Sequence, residues 1–217
     1  MKKVLLDIYK RLYSRFGSQN WWPGDTSFEV IVGAILTQNT AWVNVEKAIK
    51  NLKRHKALSP KALFGIKTSQ IARMIRPSGY YNMKAKRLRN FLNFLNKEFN
   101  GNLSKLLKMD TRRLRETLLG IKGIGPETAD SILLYAANKP IFVIDAYTKR
   151  IFLRHKLISK NATYEELQRF FMSNLPKSTK IYNEYHALIV KTGKDLCKKK
   201  PKCNLCPLED KRTHRAS

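Results

Sequence analysis

The chain has 217 residues, of which 43% are hydrophobic, so it can form the core of one compact domain or of two small lobes and is not a disordered protein. It carries 43 Lys and Arg against 16 Asp and Glu, a net charge of +27, whereas solubility alone asks for a magnitude of about 2–8 in a small domain. The excess indicates a polyanionic partner such as nucleic acid, with a solvated basic surface as the alternative.

No apolar run approaches the ~18 residues that a membrane span needs. The N-terminal segment also lacks the apolar stretch of a signal peptide. We therefore expect an intracellular protein of the cytoplasm or nucleoid with no membrane partner.

Apolar residues at helical spacing dominate the chain, beginning with a first helix around residues 4–12. A Trp-Trp-Pro-Gly loop at 21–24 ends it, and Thr26 or Ser27 caps a second helix, Phe28 to Leu36, whose apolar residues on almost every side predict burial. Residues 141–144 fit a strand or a buried connector equally well. The pattern predicts an all-α protein. Further amphipathic stretches are predicted at 41–54, 60–65, 68–75, 82–99, 103–107, 111–119, 126–138, 145–155, 163–173 and 178–190.

Residues 118–129 read as a helix, a tight turn and a second helix. Gly123 and Gly125 permit backbone torsions and close approaches that a Cβ would forbid, and Pro126 suits the first position of a helix. The amides of the turn and the start of the new helix then form a small anion site that fits a DNA phosphate. An ordinary tight turn between two helices is the alternative.

Asp145 follows four apolar residues and precedes a predicted helix. An acid in this place is either an N-cap or a partly desolvated carboxylate that stabilises an oxocarbenium-like sugar and orients the attacking water. The two roles are compatible, because one residue can cap its helix and face a substrate.

The succession of Gly123-Ile124-Gly125 and Val143-Ile144-Asp145 resembles the helix-hairpin-helix, Gly/Pro-rich, catalytic-Asp signature of the endonuclease III superfamily of DNA glycosylases. Residues 36–40 resemble the wedge loop of that family, and residues 76–85 resemble its Gly-Tyr-Asn-x-Lys-Ala turn. Gly193-Lys194 fits the approach to its cluster loop. The resemblance covers roughly residues 25 to 206.

This resemblance implies a two-lobed helix-hairpin-helix glycosylase fold with a DNA-binding cleft between the lobes. Residues 27–137 would form the helical barrel lobe with the hairpin, and residues 1–26 plus 138–217 the second lobe, with the catalytic Asp145 and the cysteine loop. A monomer would bind double-stranded DNA that contains damaged bases. The implied DNA-binding residues are Gln38, Lys122, Gly123, Gly125 and Thr128, with Gln38 as the wedge that fills the gap left by a flipped base or, alternatively, a polar residue at the end of a buried helix.

One position departs from the bifunctional members of this family, in which a lysine attacks the sugar as a Schiff-base nucleophile. Here that position is Glu127, 18 residues before Asp145. A carboxylate cannot form an imine, and Lys122 lies on the other side of the turn. We therefore expect hydrolysis by water, with Glu127 complementing the helix dipole and lining the base pocket.

The tryptophans also distinguish this chain within the family. Trp21 and Trp22 lie in the Pro-Gly loop, and an aromatic face stacks well on a flipped base, especially a positively charged one. The Trp-Trp-Pro sequence, Glu127 and the Asp-Ser pair after Ala129 resemble the 3-methyladenine glycosylase branch. A purely structural role in the core is the alternative for each indole. The implied base-binding pocket comprises Trp21, Trp22, Trp42, Glu127 and Lys194.

Three cysteines, Cys197, Cys203 and Cys206, are spaced C-x5-C-x2-C. The iron–sulfur loop of the family uses four, spaced C-x6-C-x2-C-x5-C, and here the fourth position is Arg212, with His214 two residues on. A [4Fe–4S] cluster with an unassigned fourth ligand, a zinc ion and a loop without metal all remain open.

Together these features predict a monofunctional DNA glycosylase of base excision repair, which hydrolyses the N-glycosidic bond of alkylated purines such as 3-methyladenine. An endonuclease III-like glycosylase with lyase activity and a mismatch adenine glycosylase are alternatives of the same class. A non-catalytic helix-hairpin-helix DNA-binding protein is the alternative of another class.

Overall fold

A computed structural model describes residues 1–209 of the chain. Across these residues the regular secondary structure is entirely helical, which confirms the predicted all-α class. The chain divides into a split unit, formed by Met1–Trp22 and the chain from Pro140 onward, and a continuous unit, Pro23–Lys139. The transitions expected from the sequence, after residues 26 and 137, lie a few residues from these. No helix within the described part is long and apolar enough to cross a membrane.

The helices of the described residues follow one another through short connections. In chain order they are α1 (Lys2–Phe16), α2 (Ser27–Leu36), α3 (Trp42–Arg54), α4 (Pro60–Gly65), α5 (Thr68–Met74), α6 (Tyr81–Phe99), α7 (Leu103–Lys108), α8 (Thr111–Leu119), α9 (Pro126–Ser131), α10 (Ala146–Arg154), α11 (Tyr164–Asn174) and α12 (Thr179–Asp195). A 3-10 turn precedes α6 at Arg76–Ser78, and α9 continues into a π-helical segment, Ile132–Ala136.

Helix α2 forms the core of the continuous unit. Every residue from Phe28 to Leu36 is buried, because the helix is packed against α3, α6, α9 and the π-helical segment. The Thr26 hydroxyl accepts a hydrogen bond from the Glu29 amide at 3.1 Å and so caps the first turn. The predicted burial of this helix is confirmed.

A buried lysine closes the other end of α2. Lys84 is only 1% exposed, and its ammonium donates hydrogen bonds to the carbonyls of Leu36 at 2.7 Å and Ser78 at 2.6 Å. Leu36 is the last residue of α2, so Lys84 satisfies one of the carbonyls that every helix leaves without an intrahelical partner. Burial, together with the nearby Arg87 cation, lowers the pKa of Lys84 to about 8. This anchor fixes the point where the 37–40 loop begins.

The apolar run 141–144 is a buried connector within the described chain, and no strand forms there. Its Phe142 ring stacks on Phe171 with the centroids 4.2 Å apart, and meets Tyr182 and Tyr185 edge-on. Offset-stacked and edge-to-face rings are favoured by the aromatic quadrupole. These four rings pack together in the split unit, which explains why this run of strand-forming residues is buried although it forms no strand.

Helices α10 and α12 of the split unit pack closely against each other. A Cβ on Gly193 would lie 2.3 Å from the Tyr147 ring, so only glycine allows the contact. Arg150 of α10 donates to the carbonyls of Gly193 at 2.9 Å and Cys197 at 2.8 Å. These contacts hold α12 helical to Asp195, five residues beyond its predicted end at 190.

Candidate active site and nucleic-acid interface

The predicted hairpin is present in the continuous unit, with α8 and α9 on either side of a turn at 120–125. Arg115 on α8 forms a bidentate pair with the fully buried Asp130 on α9, at 2.7 and 3.1 Å. A bidentate guanidinium–carboxylate pair fixes geometry in two directions. The pair holds the two helices of the hairpin to each other, and the sequence alone gave no sign of it.

The two glycines of the turn have different roles. Gly123 has φ +100°, and a Cβ there would lie 2.4 Å from Cγ of Arg87, so both the torsion and the close approach require glycine. Gly125 has φ −94° and open space around its Cβ position. The prediction is therefore right for Gly123 and wrong for Gly125, which serves as the N-cap of α9 in an ordinary extended conformation.

Side chains from outside the hairpin fix the orientation of its peptide groups. Asn90 donates to the Lys122 carbonyl at 2.9 Å, and Gln38 donates to the Gly123 carbonyl at 3.1 Å. Because a trans peptide group is planar, its N–H points opposite to its carbonyl. The Gly123 amide therefore points away from Asn90, and the Lys122 side chain beside it is exposed.

Gln38 lies on the hairpin in this structure. Besides its bond to Gly123, its amide donates to the Thr128 hydroxyl at 2.8 Å, and its carbonyl oxygen accepts a hydrogen bond from Arg87. Thr128 is only 6% exposed and its hydroxyl accepts a hydrogen bond from Gln38; its role as a DNA contact stays a prediction. The 37–40 loop and the hairpin thus behave as one surface, which we call the hairpin face.

Two exposed side chains at the start of α6 were not predicted from the sequence. Tyr80 is 65% exposed and Met83 is 46% exposed. Tyr80 has a left-handed backbone conformation, with φ 44°. The Met83 sulfur accepts a hydrogen bond from the Arg87 guanidinium at 3.2 Å. A large exposed side chain in a constrained turn is a signal of binding. The sequence motif around Gly79 does not indicate that Tyr80 is exposed.

Asp145 caps α10 in the split unit, as one of its two predicted roles requires. Its Oδ1 accepts hydrogen bonds from the Thr148 amide at 2.7 Å and the Thr148 hydroxyl at 2.8 Å. Its Oδ2 lies 3.6 Å from Nε2 of His186, and the carboxylate is 12% exposed. The carboxylate is therefore fixed and almost desolvated, with a small part of the side chain exposed.

The charge state of Asp145 follows from these contacts. Burial raises its pKa, but the contact with His186 and the two hydrogen bonds from Thr148 lower it by more. The pKa of this carboxyl group consequently lies below its ordinary value, so Asp145 is an anion at neutral pH. His186, on α12, lies beside this carboxylate and was not predicted from the sequence, because a histidine within the apolar run 185–190 gives only a weak signal.

The tryptophan pair and Lys194 meet within the split unit. The rings of Trp21 and Trp22 contact each other edge to face with centroids 5.2 Å apart, and the Lys194 ammonium lies 5.7 Å from the centroid of Trp21. All three side chains are partly exposed. The predicted grouping of these three residues agrees with the structure, and the Trp21 face already holds a cation.

The other two predicted pocket residues belong to the continuous unit. Trp42 begins α3, is partly exposed, and donates from its indole nitrogen to Glu46 at 2.8 Å. Glu127 is exposed in the first turn of α9, where an acid complements the helix dipole.

The three cysteines line one cavity of about 230 Å³ in the split unit. Arg154 also lines it and donates to Sγ of Cys197 at 3.2 Å. Within residues 1–209 no three His, Cys, Asp or Glu side chains converge closely enough to hold a single metal ion. Zn–S bonds of about 2.3 Å would need the thiolates within about 4 Å of one another, and the zinc and iron–sulfur alternatives both stay predictions. Arg212 and His214 lie outside the described residues.

Comparison with known proteins identifies the family. The family described as HhH-GPD superfamily base excision DNA repair protein matches residues 32–177. The chain belongs to this superfamily. A protein of Methanocaldococcus jannaschii, named provisionally as a DNA repair glycosylase, is 49% identical to it over 210 residues, which cover 96% of this chain and 95% of that protein.

Solved structures agree with the fold. The H. pylori 3-methyladenine DNA glycosylase bound to 1,N6-ethenoadenine has a TM-score of 0.76 and 32% identity, covering 89% of this chain and 96% of that one. A non-covalent endonuclease III–DNA complex has a TM-score of 0.82 at 21% identity, covering 100% of this chain and 99% of that one. The protein is thus a DNA N-glycosylase, a hydrolase of N-glycosyl bonds that acts on DNA, and the non-catalytic alternative is set aside.

Proposed function

We propose that this glycosylase is monofunctional and releases alkylated purines from double-stranded DNA by hydrolysis, as a monomer. The observation that carries the proposal is Glu127 at the position of the Schiff-base lysine. An exposed carboxylate cannot form an imine with the sugar. Water is then the nucleophile, and the enzyme needs only to hold the base, stabilise the sugar cation and orient the water.

Asp145 is assigned two of these tasks, which are to stabilise the sugar cation and to orient the water. As the N–C bond breaks, positive charge develops on the deoxyribose, and a fixed anion in a desolvated site stabilises such charge strongly. Thr148 holds one carboxylate oxygen in place, so little reorganisation is needed when the charge develops. The same carboxylate can accept a hydrogen bond from the attacking water.

Stacking on an indole supports an alkylated purine as the base. Such bases carry positive charge or have weakened glycosidic bonds, so a pocket with aromatic faces and one carboxylate is sufficient for them. Lys194 already lies over Trp21 and would repel a cationic base there. We therefore assign the stack to Trp22 or Trp42. The 32% identity to a 3-methyladenine glycosylase supports the same substrate class.

Contact with DNA is assigned to the hairpin face. The Gly123 amide and the exposed Lys122 side chain are suited to a phosphate, which fixes position without reading sequence. We also assign to Gln38, which lies on the hairpin turn, and to the exposed Tyr80 the gap that a flipped base leaves in the stack.

Product analysis tests this function. With alkylated duplex DNA, we expect chromatography to show free 3-methyladenine and 7-methylguanine, while borohydride traps no covalent protein–DNA complex. Duplexes that contain uracil, oxidised pyrimidines or adenine opposite 8-oxoguanine should release little base. A trapped complex would overturn the monofunctional mechanism, and preferred release from one of these other duplexes would overturn the alkylpurine assignment.

We further propose that the cysteine cavity holds an iron–sulfur cluster on Cys197, Cys203 and Cys206. The cavity is lined by all three cysteines, and the Arg154 guanidinium donates to Sγ of Cys197, where it can stabilise thiolate charge. Bound there, a cluster would supply metal–thiolate bonds that fix the Lys-rich loop 198–202.

Elemental analysis tests the cluster. Protein purified without oxygen should contain iron and acid-labile sulfide and absorb visible light, and Cys203→Ser should lose both together with thermal stability. Exposed Ser173 on α11 provides a control, since Ser173→Ala should leave the iron content unchanged. Protein free of iron and sulfide after anaerobic purification would contradict the proposal.

A further inference from the structure

The two oxygens of the Asp145 carboxylate are held by different elements. Oδ1 is bound by Thr148, which lies in the same helix, at 2.7 and 2.8 Å. Oδ2 faces Nε2 of His186 at 3.6 Å, and the two side chains are 12% and 6% exposed. One of the two oxygens thus faces an imidazole 41 residues away in sequence.

His186 occupies a costly place for an imidazole. Its neighbours Tyr185, Ala187, Leu188 and Ile189 on α12 are all buried, and a buried polar ring costs free energy unless it is matched by polar groups. Packing alone would favour an apolar residue at this position. The Asp145 carboxylate compensates the free-energy cost of burying this ring, because the anion attracts a ring N–H or an imidazolium.

The placement of His186 is also rigid. The Tyr147 ring packs on Gly193 where no Cβ intervenes, and Arg150 bonds the carbonyls of Gly193 and Cys197. Helix α12 is thereby tied to α10 on the C-terminal side of His186, and the helix capped by Asp145 cannot shift without moving the imidazole. Rigid support of this kind is what a reacting group requires.

We propose that His186 is a positioning residue, which holds Oδ2 of Asp145 while Thr148 holds Oδ1. Together the two contacts fix the plane of the carboxylate and favour its ionised form. Without them the terminal torsion of an aspartate side chain varies over a broad range. His186 acts through Asp145 and does not itself touch the sugar or the base. The inference rests on the proposed catalytic role of Asp145.

Single-turnover excision of 3-methyladenine or 7-methylguanine from alkylated duplex tests the proposal, with duplex affinity and melting temperature measured in parallel. His186→Ala should lower the rate on the order of 10–100-fold, since a misplacement of about 1 Å costs up to about 10²-fold, and should leave the Kd unchanged. His186→Gln places an amide donor near the position of Nε2, so its rate should return to within about fivefold of the wild type.

A control in the same helix separates positioning from stability. Thr192 is fully buried and its hydroxyl donates to the Leu188 carbonyl, so Thr192→Val should lower the melting temperature and leave the excision rate unchanged. Two results would overturn the proposal. One is an equal excision rate for His186→Ala and His186→Gln. The other is a loss of excision rate in His186→Ala that is no greater than in Thr192→Val when both variants lose the same melting temperature. If Asp145→Asn retains its rate, the catalytic role itself fails, and that result is distinguishable from either of these.

Discussion

Asp145→Asn should reduce base release on the order of 10²–10⁴-fold, the range of losses seen when a fixed electrostatic or acid–base group is removed. The substitution keeps the shape of the side chain, and asparagine caps a helix as well as aspartate does. Helix α10 and its Thr148 contacts should therefore persist. Single-turnover excision from alkylated duplex, with melting temperature alongside, measures the effect.

Duplex affinity separates chemistry from binding in this variant. Removal of an anion from a DNA-binding protein should leave the Kd unchanged or lower it, because phosphate repulsion decreases. Asp7→Asn provides the matched control: this exposed carboxylate on α1 pairs with Arg11 at 3.8 Å, and its loss removes the same charge without touching the site. Asp145→Asn activity within about tenfold of the wild type, a loss of only ~1.4 kcal/mol, would contradict the catalytic role.

Affinity for undamaged duplex should fall by about 10³–10⁵-fold between 50 and 200 mM salt if about 6–10 phosphates are contacted. The net charge of +27 and the exposed backbone of the hairpin motivate this expectation, since both act on phosphates and neither reads bases. The measurement is the slope of log Kobs against log salt concentration, on duplexes of two unrelated sequences.

Lysine variants locate the phosphate contacts. Lys122→Ala should reduce the magnitude of the slope by about one, because this exposed side chain lies in the hairpin turn. Lys61→Ala removes the same charge from α4, another exposed position of the continuous unit, and should leave the slope unchanged. A slope near zero for the wild type, or identical slopes for all three proteins, would contradict phosphate binding by the hairpin.

Much of the local structure was predictable because it depends on neighbours in sequence. The all-round apolar pattern of residues 28–36 predicted a buried helix, and either Thr26 or Ser27 was expected to cap its start, a role that Thr26 fills. The Gly-x-Gly-Pro turn predicted the hairpin, and Asp145 was expected to cap the helix after it. The predicted helix ends that differ from the structure lie where tertiary contacts extend a helix. An example is the end of α12, where Arg150 donates a hydrogen bond to the Cys197 carbonyl.

The sequence by itself thus determined the helical class, the hairpin and the carboxylate that caps α10, since each depends on spacing within a few residues. The tertiary structure alone decided what surrounds those features. It placed His186 beside Asp145, laid Gln38 on the turn of Gly123, and buried Lys84 against the end of α2. Each of these contacts joins residues at least 41 positions apart, and no local periodicity encodes such a pairing; it follows from which helix faces are buried against each other.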